Sequence, residues 1–132
     1  MALLEVKGVG KSFGALRALD DVNLEVRAGT FHGLIGPNGS GKSSLASVLA
    51  GRENFHVTEG EVKFNGKDLL DMNPETRARE GLFLAFQYPI EIPGVSNVNF
   101  LKTALAEVRT YRGLPQLDAK EFLRLSREKQ KL

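Results

Sequence analysis

Residues 36–43 read Gly-Pro-Asn-Gly-Ser-Gly-Lys-Ser. The spacing G-x-x-x-x-G-K-[ST] calls for a glycine-rich turn that leaves a strand and opens a helix, and both flanks are present. Phe31 to Ile35 is a short, mostly apolar run of the kind that forms a buried strand. Lys42 to Ala50 is a run of helix formers and small residues ending at Gly51, a natural C-terminal cap. With glycine near 7% of residues, the full pattern arises by chance in roughly one chain of this length in a few hundred. The strand–loop–helix context lowers that further.

The residue types follow from what an anion needs. Gly36, Gly39 and Gly41 reach backbone angles closed to other residues, so successive N–H groups can point inward. The helix that follows begins at its positive dipole end. Lys42 places a mobile point charge against β- and γ-phosphates, and the Ser43 hydroxyl is a ligand suited to Mg²⁺. Pro37, Asn38 and Ser40 fill the variable positions, and Ser44 continues the first helical turn. Residues 36–44 are therefore the expected nucleotide contacts.

A chain of 132 residues suffices for one ordinary domain. Its net charge of +2 is too small to argue for nucleic acid or an acidic membrane surface. No apolar run approaches the length of a membrane span, and Met1 to Val6 is too short to act as a signal peptide. Cysteine is absent, which excludes disulfides and cysteine-ligated metal within these residues and fits a cytoplasmic setting.

Leu3–Val6 and Val22–Val26 have strand character, the latter with the period-2 alternation of a half-buried antiparallel strand. Ala28-Gly29 is a turn. Glu61–Phe64 reads as a strand closed by an Asn65-Gly66 turn. Asn73-Pro74 starts a helix that stops at Gly81. Leu82–Phe86 reads as a second buried strand ending at Gln87, and residues 88–95 as a loop. Asn97–Tyr111 is amphipathic, with Val98, Leu101, Leu105 and Val108 on one face. Asp118 and Glu121 form a capping box for a last helix whose basic end, Arg124 to Lys131, is a solvated face. His32 and His56 read as structural or surface histidines.

In this arrangement the chain resembles the nucleotide-binding domain of an ABC ATPase. The resemblance implies an α/β P-loop NTPase fold: an antiparallel β subdomain, part of a RecA-like core and the start of a helical subdomain. It implies a division into residues 1–88, the β subdomain with the P-loop part of the core, and 89–132, the incomplete helical subdomain. Phe13, in Lys11-Ser12-Phe13-Gly14, sits where that family carries an aromatic that stacks on adenine. Gln87 matches the Q-loop glutamine, which contacts Mg²⁺ and the attacking water. The cofactors implied are ATP and Mg²⁺. Within the family, Ala50-Gly51-Arg52-Glu53, Val57-Thr58-Glu59-Gly60, Gly66 to Leu70 and above all Ala85 to Asn97 resemble the Suf iron–sulfur cluster assembly ATPases (SufC). The first third, with Phe13 and Arg17 to Val22, is as similar to amino-acid importer ATPases.

Three family motifs have no counterpart in the sequence. No Walker B strand ends in Asp-Glu, no Gly-Gly pair provides the signature, and neither histidine follows a Walker B position. The family hydrolyses ATP; for this chain the expectation is ATP–Mg²⁺ binding with little or no turnover by itself. By the same resemblance, the Walker B strand and its neighbour would lie between Phe31–Ile35 and Leu82–Phe86. Each unpaired buried backbone group costs of order 1–3 kcal/mol, so the chain is expected to be poorly stable, aggregation-prone, or completed by another ABC ATPase polypeptide. The partners implied are Suf scaffold proteins or, on the importer alternative, a membrane permease. A non-enzymatic remnant that still binds a partner through residues 89–128 is the third reading.

Overall fold

A computed structural model describes residues 2–132. Two long strands, β1 (Ala2–Phe13) and β2 (Leu16–Arg27), form an antiparallel hairpin that pairs Val6 with Leu24 and Val9 with Val22. Irregularities between Val6 and Lys11 shift the register, and such bulges bend a strand and increase its twist. The other edge of β1 pairs with β3 (Glu59–Phe64), Val6 opposite Val62. Asn65 and Gly66, both at positive φ, turn the chain into the short β4 (Lys67–Asp68). The sheet order is β2-β1-β3-β4, antiparallel throughout. This is the expected β subdomain, with strands longer than the apolar runs that announced them.

Helix α1 (Lys42–Ala50) lays Leu45 and Val48 on the sheet, where they join Val6, Val9, Leu19, Val62, Phe64 and Leu69 in one buried cluster. Helix α2 (Pro74–Glu80) has the expected bounds. Asn73 caps it by accepting from the Thr76 N–H at 2.8 Å, and Gly81 ends it in the left-handed region. Lys67 of β4 pairs with Glu80 at 2.7 Å and ties the end of α2 to the sheet.

Two expected strands are absent. Residues 31–35 and 82–86 have no strand pairing, and Phe31, Ile35 and Phe83 are 106%, 95% and 87% exposed. A buried parallel strand draws its stability from hydrogen-bonded neighbours and from cover on both faces. Among the described residues no strand pairs with either segment, and Leu82 alone of their side chains packs against the core cluster, so apolar composition alone leaves them irregular.

The described residues fall into two units, one ending at Leu84 and one running from Ala85 to Leu132. The second holds α3 (Asn97–Tyr111) and α4 (Ala119–Lys129). Ser96 caps α3 by accepting from the Asn99 N–H. Asp118 and Glu121 form a complete reciprocal box at the start of α4, 2.8 and 3.0 Å. The turn between them is held by Arg109 Nε donating to the Pro115 carbonyl and by Gln116 Nε2 donating to Ala106 and Thr110. Phe122 is the one side chain of α4 that is buried, while Val98 and Leu101 of the apolar face of α3 stay half exposed. Arg124, Arg127 and Lys129 are exposed, as expected of a solvated basic face.

Candidate phosphate-binding site

The loop at 36–41 is irregular and surface-lying, and it delivers the chain into α1 at Gly41. Gly41 has φ +99° and ψ +5°, and as N-cap it offers no side chain to the first helical N–H groups. Those donors have no intrahelical partner; without a cap they are left for an anion, as is the positive end of the helix dipole. There is no acidic residue in the first turn to compete for them.

Gly41 is also a packing position. A Cβ there would lie 2.9 Å from the Ala18 carbonyl oxygen and 3.0 Å from Leu19 Cδ2. The end of the loop is thus seated on the backbone of β2, which fixes the start of α1 against the sheet. The loop itself is closed by Ser40 donating its N–H to the Pro37 carbonyl at 3.2 Å, and α1 begins with Leu45 donating to Gly41 at 2.9 Å.

Lys42 folds back over this loop. Its ammonium donates to the carbonyls of Gly36 and Pro37, the latter at 2.8 Å, and to Ser40 Oγ at 3.2 Å. The cation is held at the loop by three oxygens and not spent in an ion pair with a carboxylate. A Cβ on Gly36 would come within 2.8 Å of Ser40 Oγ and 3.9 Å of Lys42 Nζ, so the glycine keeps open the space beside the charge. Ser43 is exposed and Ser44 half-buried on the first turn; Asn38 and Gly39 form the exposed tip. This donor set fits a polyphosphate: an ammonium, uncapped helical N–H groups and a free-standing hydroxyl, with no carboxylate among them. The Ser43 hydroxyl suits Mg²⁺, which keeps several waters and needs few protein ligands.

Phe13 stands at the end of β1, 37% exposed. It meets the Phe55 ring edge-on at 5.2 Å and carries the Lys11 ammonium 4.7 Å from its centroid. It is therefore neither an ordinary core phenylalanine nor a bare platform; a cation already lies over the ring. Gln87 is exposed and belongs to the second unit, so the first unit builds its phosphate loop without it. His32 and His56 are exposed, and no cluster of potential metal ligands occurs among the described residues.

Sequence reasoning overlooked Arg77. It is 6% exposed, the one buried residue of α2, and its guanidinium reaches the C-terminal end of α1. Nothing in the run Pro-Glu-Thr-Arg-Ala-Arg-Glu distinguishes Arg77 from Arg79; only the carbonyls that converge on it do.

Comparison with known proteins supplies the family. The ABC transporter family model matches residues 19–131. A probable ATP-dependent transporter SufC of Escherichia coli is 53% identical over 96% of this chain and 51% of its own length. A probable ATP-dependent transporter, ycf16, of Pyropia yezoensis is 46% identical over 96% of the chain and 51% of its own length. The chain spans about half the length of the curated relatives it matches. Among solved structures, the ADP conformation of an ATP-binding cassette of an ABC transporter aligns with TM-score 0.62 and 38% identity, over 67% of this chain and 34% of that one. No helix among the described residues is long and apolar enough to cross a membrane. The chain belongs to the ABC transporter family, and its fold is the N-terminal part of that family's α/β P-loop ATP-binding cassette.

Proposed function

We propose that residues 36–44 bind the phosphates of ATP with Mg²⁺, as the nucleotide-binding half of a Suf-type ABC ATPase active site in the cytoplasm. The observation that carries this reading is the Lys42 ammonium held over an uncapped helix N-terminus by the loop's own oxygens. In this proposal the N–H groups of Gly39 to Ser43 orient the phosphates and Lys42 balances their charge. Ser43 holds the metal, which when bound neutralises charge on the phosphates, and Gln87 keeps the Q-loop role that the family resemblance implies for it. Phe13, with its cation-bearing ring, borders the base. The division expected from sequence, 1–88 and 89–132, assigns the loop to the first part and partner docking to the second.

The Suf assignment rests on the 53% identity to the Escherichia coli protein and on the Ala85–Asn97 run. It implies Suf scaffold proteins, or a completing ABC ATPase chain, as partners. The importer alternative rests on the N-terminal third, and co-purification separates the two: a scaffold complex without detergent, or a detergent-dependent permease complex. Because the 132 residues contain no Walker B or signature motif, we expect binding without appreciable turnover by the chain alone. Titration with Mg–ATP should raise the melting temperature of the chain, and Lys42→Ala should remove the shift. An unshifted wild-type melt at millimolar nucleotide would leave only the remnant reading, and turnover abolished by Lys42→Ala would overturn the expectation of an inactive half-site.

A further inference from the structure

The phosphate loop stands at one end of α1; the other end is held in an unusual way. Gly51 closes the helix in the left-handed region, its N–H donating to the carbonyls of Ser47 and Val48, and the Arg52 N–H also returns to Ser47. This glycine turn leaves the Leu49 carbonyl to another donor. Arg77 Nη1 donates to Leu49 at 3.0 Å and to Val48 at 2.7 Å, while Nε donates to the Met72 carbonyl at 2.9 Å. Helix α1 has no basic residue in its last turn. The cation facing its negative end therefore comes from a helix 29 residues away in sequence.

Both partners in this contact are shaped for it. A Cβ at Gly51 would lie 3.0–3.2 Å from Arg77 Cζ, Nε and Nη1, so glycine at 51 makes room for the guanidinium as well as the turn. Arg77 is fixed from behind: its own N–H donates to Asn73, and its carbonyl accepts from Leu82 at 3.0 Å. Burial lowers its affinity for the proton from the usual arginine range, and Asp68 opposes that shift.

We infer that Arg77 is a positioning residue for nucleotide binding: it anchors the C-terminal carbonyls of α1 so that the phosphate loop at the other end keeps its orientation. A helix of nine residues is only marginally stable by itself. Its N-terminal donors hold a fixed direction only if its far end can neither fray nor swing. Gly41 seats one end on Ala18, Leu45 and Val48 seat the middle, and Arg77 seats the last turn. This rests on the proposed phosphate site but makes its own claim, that the anchor lies outside the loop.

The test compares wild type, Arg77→Met, Arg77→Lys and Asn73→Ala in the full chain. Asn73→Ala weakens the same α2 helix through its cap without touching the α1 carbonyls, so it reports generic destabilisation. Amide exchange at Leu45 to Leu49 is followed without nucleotide, and Mg–ATP affinity is measured per folded molecule under conditions of matched folded fraction. Arg77→Met should speed exchange in α1 and weaken affinity by about tenfold or more, the size expected for losing hydrogen bonds to a charged group. Arg77→Lys should recover part of both, and Asn73→Ala should change neither. Equal behaviour of Arg77→Met and Asn73→Ala in exchange and affinity overturns the inference. Faster α1 exchange in Arg77→Met, in a chain whose wild type shows no nucleotide response, refutes the phosphate reading while upholding the hold of Arg77 on the helix.

Discussion

Replacing Gly41 by alanine tests the seating of the loop on β2 against the more familiar idea that loop glycines serve flexibility alone. Two costs arise at this position. At φ +99° an L-residue carries about 1–2 kcal/mol of backbone strain. The new methyl would also stand 2.9 Å from the Ala18 carbonyl oxygen, a backbone atom that cannot swing aside. Forcing an extra carbon into a packed contact adds about 1–3 kcal/mol, for a total near 2–5 kcal/mol. Gly39 is the internal control. Its φ is +82°, but nothing lies within 4 Å of a Cβ there, so alanine should cost only the strain of about 1–2 kcal/mol. Both changes stiffen the unfolded chain alike, and that contribution cancels in the comparison. Urea unfolding of the two variants measures the difference, provided the m-values agree. Gly41→Ala should be less stable than Gly39→Ala by about 1–3 kcal/mol, the overpacking share. It should also bind Mg–ATP more weakly per folded molecule, because the helix start must move off β2 to admit the methyl. Equal stability losses for the two variants would show that the loop is not seated on Ala18, and the account of how α1 is aimed would fail with it.

Leu69, fully buried beside the sheet, should lose about 2–5 kcal/mol on truncation to alanine, read as a lower urea midpoint at unchanged m. Asp118→Ala removes one half of a complete capping box and should cost about 0.5–2 kcal/mol; faster amide exchange should appear in the first turn of α4 and leave α1 untouched. Phe31 and Ile35 leave a large apolar surface exposed, so the chain should bind the dye ANS and self-associate at high concentration. Phe31→Ser with Ile35→Ser should lower both signals, and unchanged dye binding and association in the double variant would count against those side chains as the source.

How much of this was legible beforehand differs from element to element. The bounds of α2 and α3 and the capping of α4 could be read directly, because Asn73-Pro74, Gly81 and the Asp118/Glu121 pair act within a few residues of themselves. The Asn65-Gly66 turn was legible for the same reason: its backbone angles are local properties. The two apolar runs at 31–35 and 82–86 misled, since a continuous apolar stretch states only that a segment would be stable if covered and paired. The relation between loop and helix was half legible. Residues 36–43 announce an anion site through their types, yet the Lys42 contacts to Gly36, Pro37 and Ser40 depend on the loop's final shape.

Local chemistry therefore determined the phosphate loop, the caps, the turns and, through the resemblance they carried, the family. Tertiary structure alone decided that Gly41 rests on Ala18 and that Arg77, not Arg79, closes the far end of α1. It also decided that Phe13 meets the Phe55 ring edge-on. The physical reason is common to all three. Backbone angles and caps are satisfied by neighbours in sequence, whereas a carbonyl in search of a donor, or a methyl-sized space beside a glycine, is defined only when segments tens of residues apart have been brought together.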